Sequence, residues 1–279
     1  MRGRRVLATL AALGLTMINT AACTPTATDA DSLVKRADAR GHLTIGTRFD
    51  QPGISQRTLD GRLVGFDVDV ATYVAKELGV APGDITWRET ATSSREADLA
   101  SNSVDLIVAT YSITEKRRQQ VTFAGPYFET GQDLLVRTQS TDITGPESLN
   151  GKRLCSTTNT TSAEQVRDRF ARQTELVEYP RYPECVSALL AGQVDAVTTD
   201  GVILAGYAAE QPELLRVVGT QFAPEHYGIG LRKGDTEAQR AVNDALRKMI
   251  SSGEWTRAFN ANIGPSGYPL PTPPQVTEQ

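Results

Sequence analysis

Residues 103–110, Ser-Val-Asp-Leu-Ile-Val-Ala-Thr, and 193–200, Gln-Val-Asp-Ala-Val-Thr-Thr-Asp, share a pattern that constrains the fold more than any other feature of this chain. Each leaves a helical stretch through a tight turn, opens with Val-Asp, and runs as a short strand into polar side chains. The surrounding elements alternate in the same order. The first series predicts a strand at 43–46, a helix at 65–79, a strand at 84–89, a helix at 95–100 and a strand at 104–109. The second predicts strands at 153–156, 175–179 and 195–199, with helices at 162–172, 184–190 and 202–210. Strand and helix in alternation imply a mostly parallel sheet with helices on its faces, so the chain reads as two similar α/β lobes.

The helix at 65–79 is amphipathic, with Phe66, Val70, Tyr73, Val74 and Leu78 on one face, Asp67 where a cap belongs and Gly79 as its stop. A later helix, Thr236–Ser251, carries Ala241, Ala245 and Met249 at helical spacing, followed by Trp255, Phe259 and Ile263. Five prolines after Gly264 predict an extended, disordered tail over 265–279. The 279 residues, 39% apolar and 22% charged, suffice for roughly two domains of about 100 residues each, as two lobes require.

The amino terminus sets the compartment. Arg2, Arg4 and Arg5 precede an apolar run over 6–18, then Thr20-Ala21-Ala22 precedes Cys23. This reads as an export signal over 1–22, too short for a transmembrane helix. Cys23 after Ala-Ala resembles the bacterial lipobox, whose cysteine is acylated and becomes the new amino terminus; Thr20 stands where that motif has Leu. The plainer reading is a cleaved signal with an incidental cysteine. Residues 23–40 then read as a lipidated tether that holds the protein on the extracytoplasmic face of the membrane.

With Cys23 acylated, Cys155 and Cys185 remain as an even pair in an oxidising compartment and predict a disulfide; two buried thiols are the alternative. There is no Cys-x-x-Cys, and His42 and His226 are too few and too scattered for a metal site. The net charge of −4 becomes more negative when Arg2, Arg4 and Arg5 are removed, which argues against nucleic acid as a partner.

Ligands of open parallel sheets bind beyond the carboxyl ends of the strands, where loops feed helix amino termini. The polar clusters fall there. Thr110, Ser112 and Thr114 follow one strand and lead to Arg117; 157–162, Thr-Thr-Asn-Thr-Thr-Ser, follows another and precedes a helix with the capping-box spacing Ser162 to Gln165. Free N–H groups at such a helix start favour an anion. An arginine grips a carboxylate through two hydrogen bonds while hydroxyls fill the remaining lone pairs. Asp200 ends a third strand and suits an ammonium. Carboxylate and ammonium on one small molecule describe an amino acid. No nucleophile paired with a base is visible. Each feature also has a duller reading: a solvated basic run, a Thr-rich turn, a helix-capping Asp.

The stretches GFDVDVATYVAKELG (65–79), VDLIVATYSITEKRRQQVTFAGPYF (104–128), VDAVTTD (194–200) and HYGIGLRKG (226–234), in this order, resemble the family 3 solute-binding proteins of polar amino acid ABC transporters. The likeness spans about 43–263. With GTRFDQPG (46–53), the cysteine pair and the lipobox-like start, it is most similar to actinobacterial glutamate-binding lipoproteins.

This resemblance implies a two-lobed, periplasmic-binding-protein-like fold of type II, its lobes joined by two hinge strands that close over ligand. Crossings are expected near 127–131 and 223–227, giving lobe 1 as 41–128 plus 228–264 and lobe 2 as 129–227. It implies a monomer that delivers an amino acid to membrane permease subunits, with no cofactor. Carried over by position, Arg117 would bind the α-carboxylate beside Ser112 and the Thr161 backbone. The Ala109 carbonyl, Thr110 and Asp200 would hold the ammonium; Thr157 and Thr160 would contact ligand from the second lobe. Thr110 stands where many relatives have Gly.

Arg48 and Arg95 supply two cations beyond that clamp and point to a second carboxylate, so glutamate is expected, then aspartate or glutamine. An unpaired buried arginine would disfavour the neutral amide. The alternative for Arg48 is an internal pair with Asp50 or Glu89. Competing functions are an amino-acid sensor acting with a membrane partner, and a dehydratase on the same fold, for which a general acid or base is not evident.

Overall fold

The computed structural model describes residues 32–279, so the export signal and the acylation of Cys23 lie outside the described residues. The chain order is α1 (Leu33–Arg40), β1 (Leu43–Thr47), β2 (Asp50–Gln51), β3 (Ser55–Arg57), β4 (Leu63–Val64), α2 (Phe66–Glu77), β5 (Ile85–Glu89), α3 (Arg95–Ala100), β6 (Leu106–Ile107), α4 (Glu115–Arg118) and β7 (Val121–Arg137). It continues with β8 (Arg153–Thr157), α5 (Thr161–Gln165), β9 (Glu175–Tyr179), α6 (Tyr182–Leu190), β10 (Ala196–Asp200), α7 (Gly201–Glu210), β11 (Leu215–Val217), β12 (Phe222–Arg232), α8 (Thr236–Ser251) and α9 (Glu254–Asn262).

The main sheet runs β5-β1-β6-β12-β7-β10-β8-β9, with β11 added to β7. Its two ends are parallel: β1 pairs in parallel with β5 and β6, and β8 with β9 and β10. Between them β12 and β7 lie antiparallel from Phe222 opposite Gln132 to Arg232 opposite Val121, with bulges at 222–224 and 227–229. These two long strands belong to both halves, which makes the two α/β units one continuous sheet. Bulges bend and twist a strand locally, and here they fall where the chain passes from one half to the other.

The predicted series is reproduced with small shifts. The strand expected at 104–109 is assigned only at Leu106–Ile107, although Asp105 and Val108 still donate to Thr44 and Gly46 of β1 at 2.7 and 3.0 Å. The helix expected at 65–79 begins at Phe66, with Gly65 in the cap position at φ 129°. A Cβ on Gly65 would sit 2.3 Å from the Ile54 carbonyl oxygen, so only glycine lets the chain pass there. Asp67 is therefore no cap. It lies inside the helix, fully buried.

Two expectations about the ends are corrected. Residues 33–40 of the expected tether form α1, capped by the Ser32 hydroxyl; Leu33 and Ala37 are buried, and the Leu33 N–H donates to Asp235 at 2.7 Å. The Pro-rich tail is packed rather than loose. Tyr268 meets Thr130 and Gln221 at 2.8 Å each, Thr277 and Glu278 donate to the Gly125 carbonyl, and Glu278 pairs with Arg118. Proline is excluded from helix interiors but not from burial, and the tail's partners are distant in sequence.

The core beneath the crossing is aromatic. Phe66, Phe128, Trp255 and Phe259 stack or meet edge to face at 5.4–6.5 Å, and the Trp255 indole N–H donates to the Tyr127 carbonyl at 2.8 Å. Such pairs contribute about 0.5–1.5 kcal/mol each beyond their buried area, and they anchor α2 and α9 to β7. In the other half a disulfide joins Cys155 of β8 to Cys185 of α6, with Cα atoms 5.6 Å apart.

Candidate functional site

The strand ends of the two halves face one cleft. From the first half it is lined by Gln51, Thr92, Arg95, Thr110, Ser112 and Arg117, and from the second by Thr160, Thr161, Ser162, Tyr182, Thr199, Asp200 and Ile203. Its walls nearly meet, leaving a cavity of about 20 Å³, room for about one water molecule.

Two guanidinium groups lie over the Tyr111 ring, Arg95 at 5.0 Å and Arg117 at 5.1 Å from its centre. Arg117 Nη1 donates to the Ser112 carbonyl at 2.9 Å, and its Nε stands 3.6 Å from Glu96, which also accepts the Tyr111 hydroxyl at 2.8 Å. Arg95 differs. It is 3% exposed, its Nε has no hydrogen-bond partner, and among the described residues it has no carboxylate partner. Burial, then the charges of Arg117 and Arg48, lowers its pKa to about 10. A buried cation without an anion calls for one from outside.

The opposite wall carries the converse defect. Asp200 is 5% exposed; its Oδ2 accepts the Tyr227 hydroxyl of β12, and its Oδ1 has no partner among the described residues. Burial, then the neighbouring Glu225, pushes its pKa up to about 7. An ammonium at Oδ1 would supply both the missing donor and the missing charge.

The loop after β6 is held by its neighbours. Ser112 bridges to Tyr227, the Ile113 N–H donates to the His226 carbonyl at 2.8 Å, and the Thr110 N–H donates to Asp67 Oδ2 at 2.8 Å. The Thr110 hydroxyl lies 3.3–3.4 Å from the Gln51 amide. Across the cleft, α5 starts with Thr160 in the cap position and no side chain closing it, which leaves its first N–H groups open. The expected capping box is absent because Ser162 lies inside the helix and Gln165 donates instead to Glu225 at 3.0 Å. Glu225 also accepts the Thr161 hydroxyl at 2.8 Å, so Thr161 offers the cleft its backbone.

Of the expected site residues, Arg95, Thr110, Ser112, Arg117, Thr160, Thr161 and Asp200 come together. Three do not line the cleft. Arg48 donates from Nε and Nη2 to Asp50 at 2.9 and 2.6 Å, so its charge is already neutralised. Thr157 is 1% exposed behind the cleft, where its carbonyl accepts the Thr160 hydroxyl at 2.8 Å. The Ala109 side chain is buried in the apolar cluster with Tyr111 and Phe123; the ammonium role expected at this position belongs to its carbonyl, not to that side chain. Sequence reasoning missed Gln51, Thr92, Tyr182, Thr199 and Ile203 at the cleft and Asp67 behind it. Gln51, in the two-residue β2 that follows β1, and Thr92, in the loop after β5, could have been found by the same strand-end rule. Tyr182 reaches the site only because α6 starts beside β10, where its hydroxyl donates to Thr199 at 2.7 Å.

The halves also touch around the cleft. Arg181 pairs with Glu89, Gln56 donates to Glu210 at 2.9 Å, and the Tyr207 hydroxyl donates to the Asp50 carbonyl.

Comparison with known proteins accords with this geometry. The glutamate-binding protein GluB of Corynebacterium efficiens is 44% identical over 234 residues, covering 80% of this chain and 79% of GluB. The ABC transporter glutamine-binding protein GlnH of Bacillus subtilis is 34% identical, covering 71% of this chain and 72% of that protein. The crystal structure of the ancestral amino acid-binding protein AncCDT-1, a precursor of cyclohexadienyl dehydratase, superposes with a TM-score of 0.75 at 28% identity, covering 83% of this chain and 99% of that one. The family model matches residues 43–265, and the chain belongs to the bacterial extracellular solute-binding proteins, family 3.

Proposed function

We propose that the cleft binds an acidic amino acid, L-glutamate before L-aspartate or L-glutamine, outside the cytoplasm, and that the protein delivers it to the permease of an ABC transporter. The observation that carries the choice of ligand is Arg95, a buried cation with no anion among the described residues, beside the Arg117 that would take the α-carboxylate. Asp200, with its free Oδ1, takes the ammonium. Two cations and one anion complement the two carboxylates and one ammonium of glutamate. Arg48 drops out of the specificity argument because Asp50 holds it. Kinship with GluB supports the same ligand.

Lobe 1 comprises 41–128 plus 228–264 and lobe 2 comprises 129–227, moving about β7 and β12. The export signal and an acylated Cys23 would keep the protein at the outer membrane surface; mass spectrometry of the amino-terminal peptide tests that. Dehydration is not the reading, because the one cleft carboxylate with a raised pKa is occupied as the ammonium partner.

Titration of the purified protein against the twenty amino acids by calorimetry tests the function, and absence of any binding overturns it. Arg117→Ala removes one partner of a buried charge pair, about 2–5 kcal/mol, and is expected to weaken glutamate binding roughly thirty- to several-thousand-fold. Arg95→Gln is expected to erase most of the preference for glutamate over glutamine, and an unchanged preference would refute the assignment of Arg95.

A further inference from the structure

We infer that Asp67 is a positioning residue for ligand binding: by accepting the Thr110 N–H, it holds the turn after β6 in the left-handed conformation that presents Thr110 to the cleft. The inference rests on the reading of the cleft as an amino acid site. Thr110 has φ 45°, a conformation in which the Cβ of an L-residue crowds the backbone and which β-branched residues adopt least of all. Such strain persists only where the surroundings over-determine it.

Of the contacts that hold this loop, the one made by the Thr110 N–H itself goes to a buried carboxylate. Asp67 is 0% exposed and Thr110 7% exposed, and Asp67 Oδ2 accepts the Thr110 N–H at 2.8 Å. The other oxygen, Oδ1, accepts the Tyr127 hydroxyl at 2.8 Å from β7, so Asp67 joins the cleft loop to a crossing strand. Asp67 does not itself line the cleft. It sits in the first turn of α2, where the helix dipole favours a carboxylate. Without it the Thr110 N–H would be buried and unpaired, and the turn would relax toward negative φ. The Thr110 hydroxyl would then leave the Gln51 amide, 3.3–3.4 Å away, and with it the cleft.

The test is a double-mutant cycle read by calorimetry with the amino acid that the parent protein binds most tightly, L-glutamate on the present reading. Asp67→Ala in the parent is expected to weaken binding at least tenfold. The same substitution in a Thr110→Gly background is expected to cost under threefold, because glycine adopts the left-handed turn without support. Tyr127→Phe removes the other hydrogen bond to Asp67 and is expected to leave affinity within threefold of the parent. Equal losses for Asp67→Ala in both backgrounds, or a Tyr127→Phe loss matching that of Asp67→Ala, would overturn the positioning role. A parent that binds no amino acid counts against the functional reading alone. The cycle is then read on urea unfolding, where coupling between positions 67 and 110 supports the inference and additivity overturns it.

Discussion

Single side chains carry the chemistry through unmet needs. Among the described residues Arg95 is a buried cation without an anion partner, and Asp200 is a buried carboxylate with one oxygen unpartnered and a pKa near 7. Binding an ammonium requires Asp200 ionised. Glutamate affinity is therefore expected to fall as pH drops below about 7, by up to roughly tenfold per pH unit; calorimetry from pH 8 to 5 reads it, and Asp200→Asn should weaken binding and flatten the profile. The same groups set ligand-free stability. Asp67 and Asp200 both ionise near 7 in the folded protein, against about 3.9 unfolded. Between those values the native state holds more protons, so their contribution is present below about pH 4 and lost as pH rises toward 7. Burial raises Asp69 and Asp133 in the same sense. The ligand-free melting temperature is thus expected to decline from pH 5 to 8, and a rise over that range would contradict the burial of these carboxylates. At this scale Thr110, Ser112, Arg117 and Asp200 were legible because strand-end position alone brings them together. For Arg48 the sequence left two readings, a cleft cation or an internal pair with Asp50 or Glu89, and the structure selects the pair with Asp50. Asp67 was missed because an acid at a helix start looks like a cap.

Elements were legible wherever a local period governs them. The strand at 175–179 and the helix at 236–251 fall where the alternation places them. The α5 start was misplaced, since the rival caps Thr160 and Ser162 are both hydroxylated and only the path of β8 chooses between them. Helix α6 shows an element made functional by a tether. Its first residue is Tyr182 of the cleft, the residue before it is Arg181 of the closing pair, and Cys185 one turn later is bonded to β8. A loop spanning 30 residues contributes roughly 3–4 kcal/mol on the chain-entropy estimate. Replacing both cysteines by Ala is expected to lower the melting temperature by about 10 °C and to weaken ligand binding through α6. Unchanged calorimetric affinity would show that β8 and β10 position α6 without the bond.

For the whole molecule the decisive feature is that β7 and β12 run through both halves, so the closure proposed above would bend one sheet rather than dock two bodies. Of the contacts across the cleft, Arg181 with Glu89 and Gln56 with Glu210 are exposed or half exposed, while the Tyr207 hydroxyl that meets the Asp50 carbonyl belongs to a buried side chain. Exposed ion pairs contribute about 0–1 kcal/mol. Glu89→Gln is therefore expected to weaken ligand binding less than fivefold, in the dissociation rate, with the difference from the parent vanishing at high salt. A larger, salt-independent loss measured by surface plasmon resonance would mean that closure rests on this pair. Small-angle scattering should show a smaller radius of gyration when ligand is added.

The sequence by itself determined the two βα series and the strand-end location of the site, because alternation and turn chemistry act over a few residues; the Cys155–Cys185 pair followed from it only with Cys23 set aside as acylated, and the structure supplies the bond. Only the tertiary structure decided which charges are free. Arg48 and Arg95 are both buried arginines in the first half, yet one meets Asp50 and the other has only the Tyr111 ring and no carboxylate partner among the described residues. The same holds for the tail, whose prolines say how it extends but not that Gly125 and Arg118 await it. Charge neutralisation and burial depend on groups distant along the chain, and chain folding alone sets those distances.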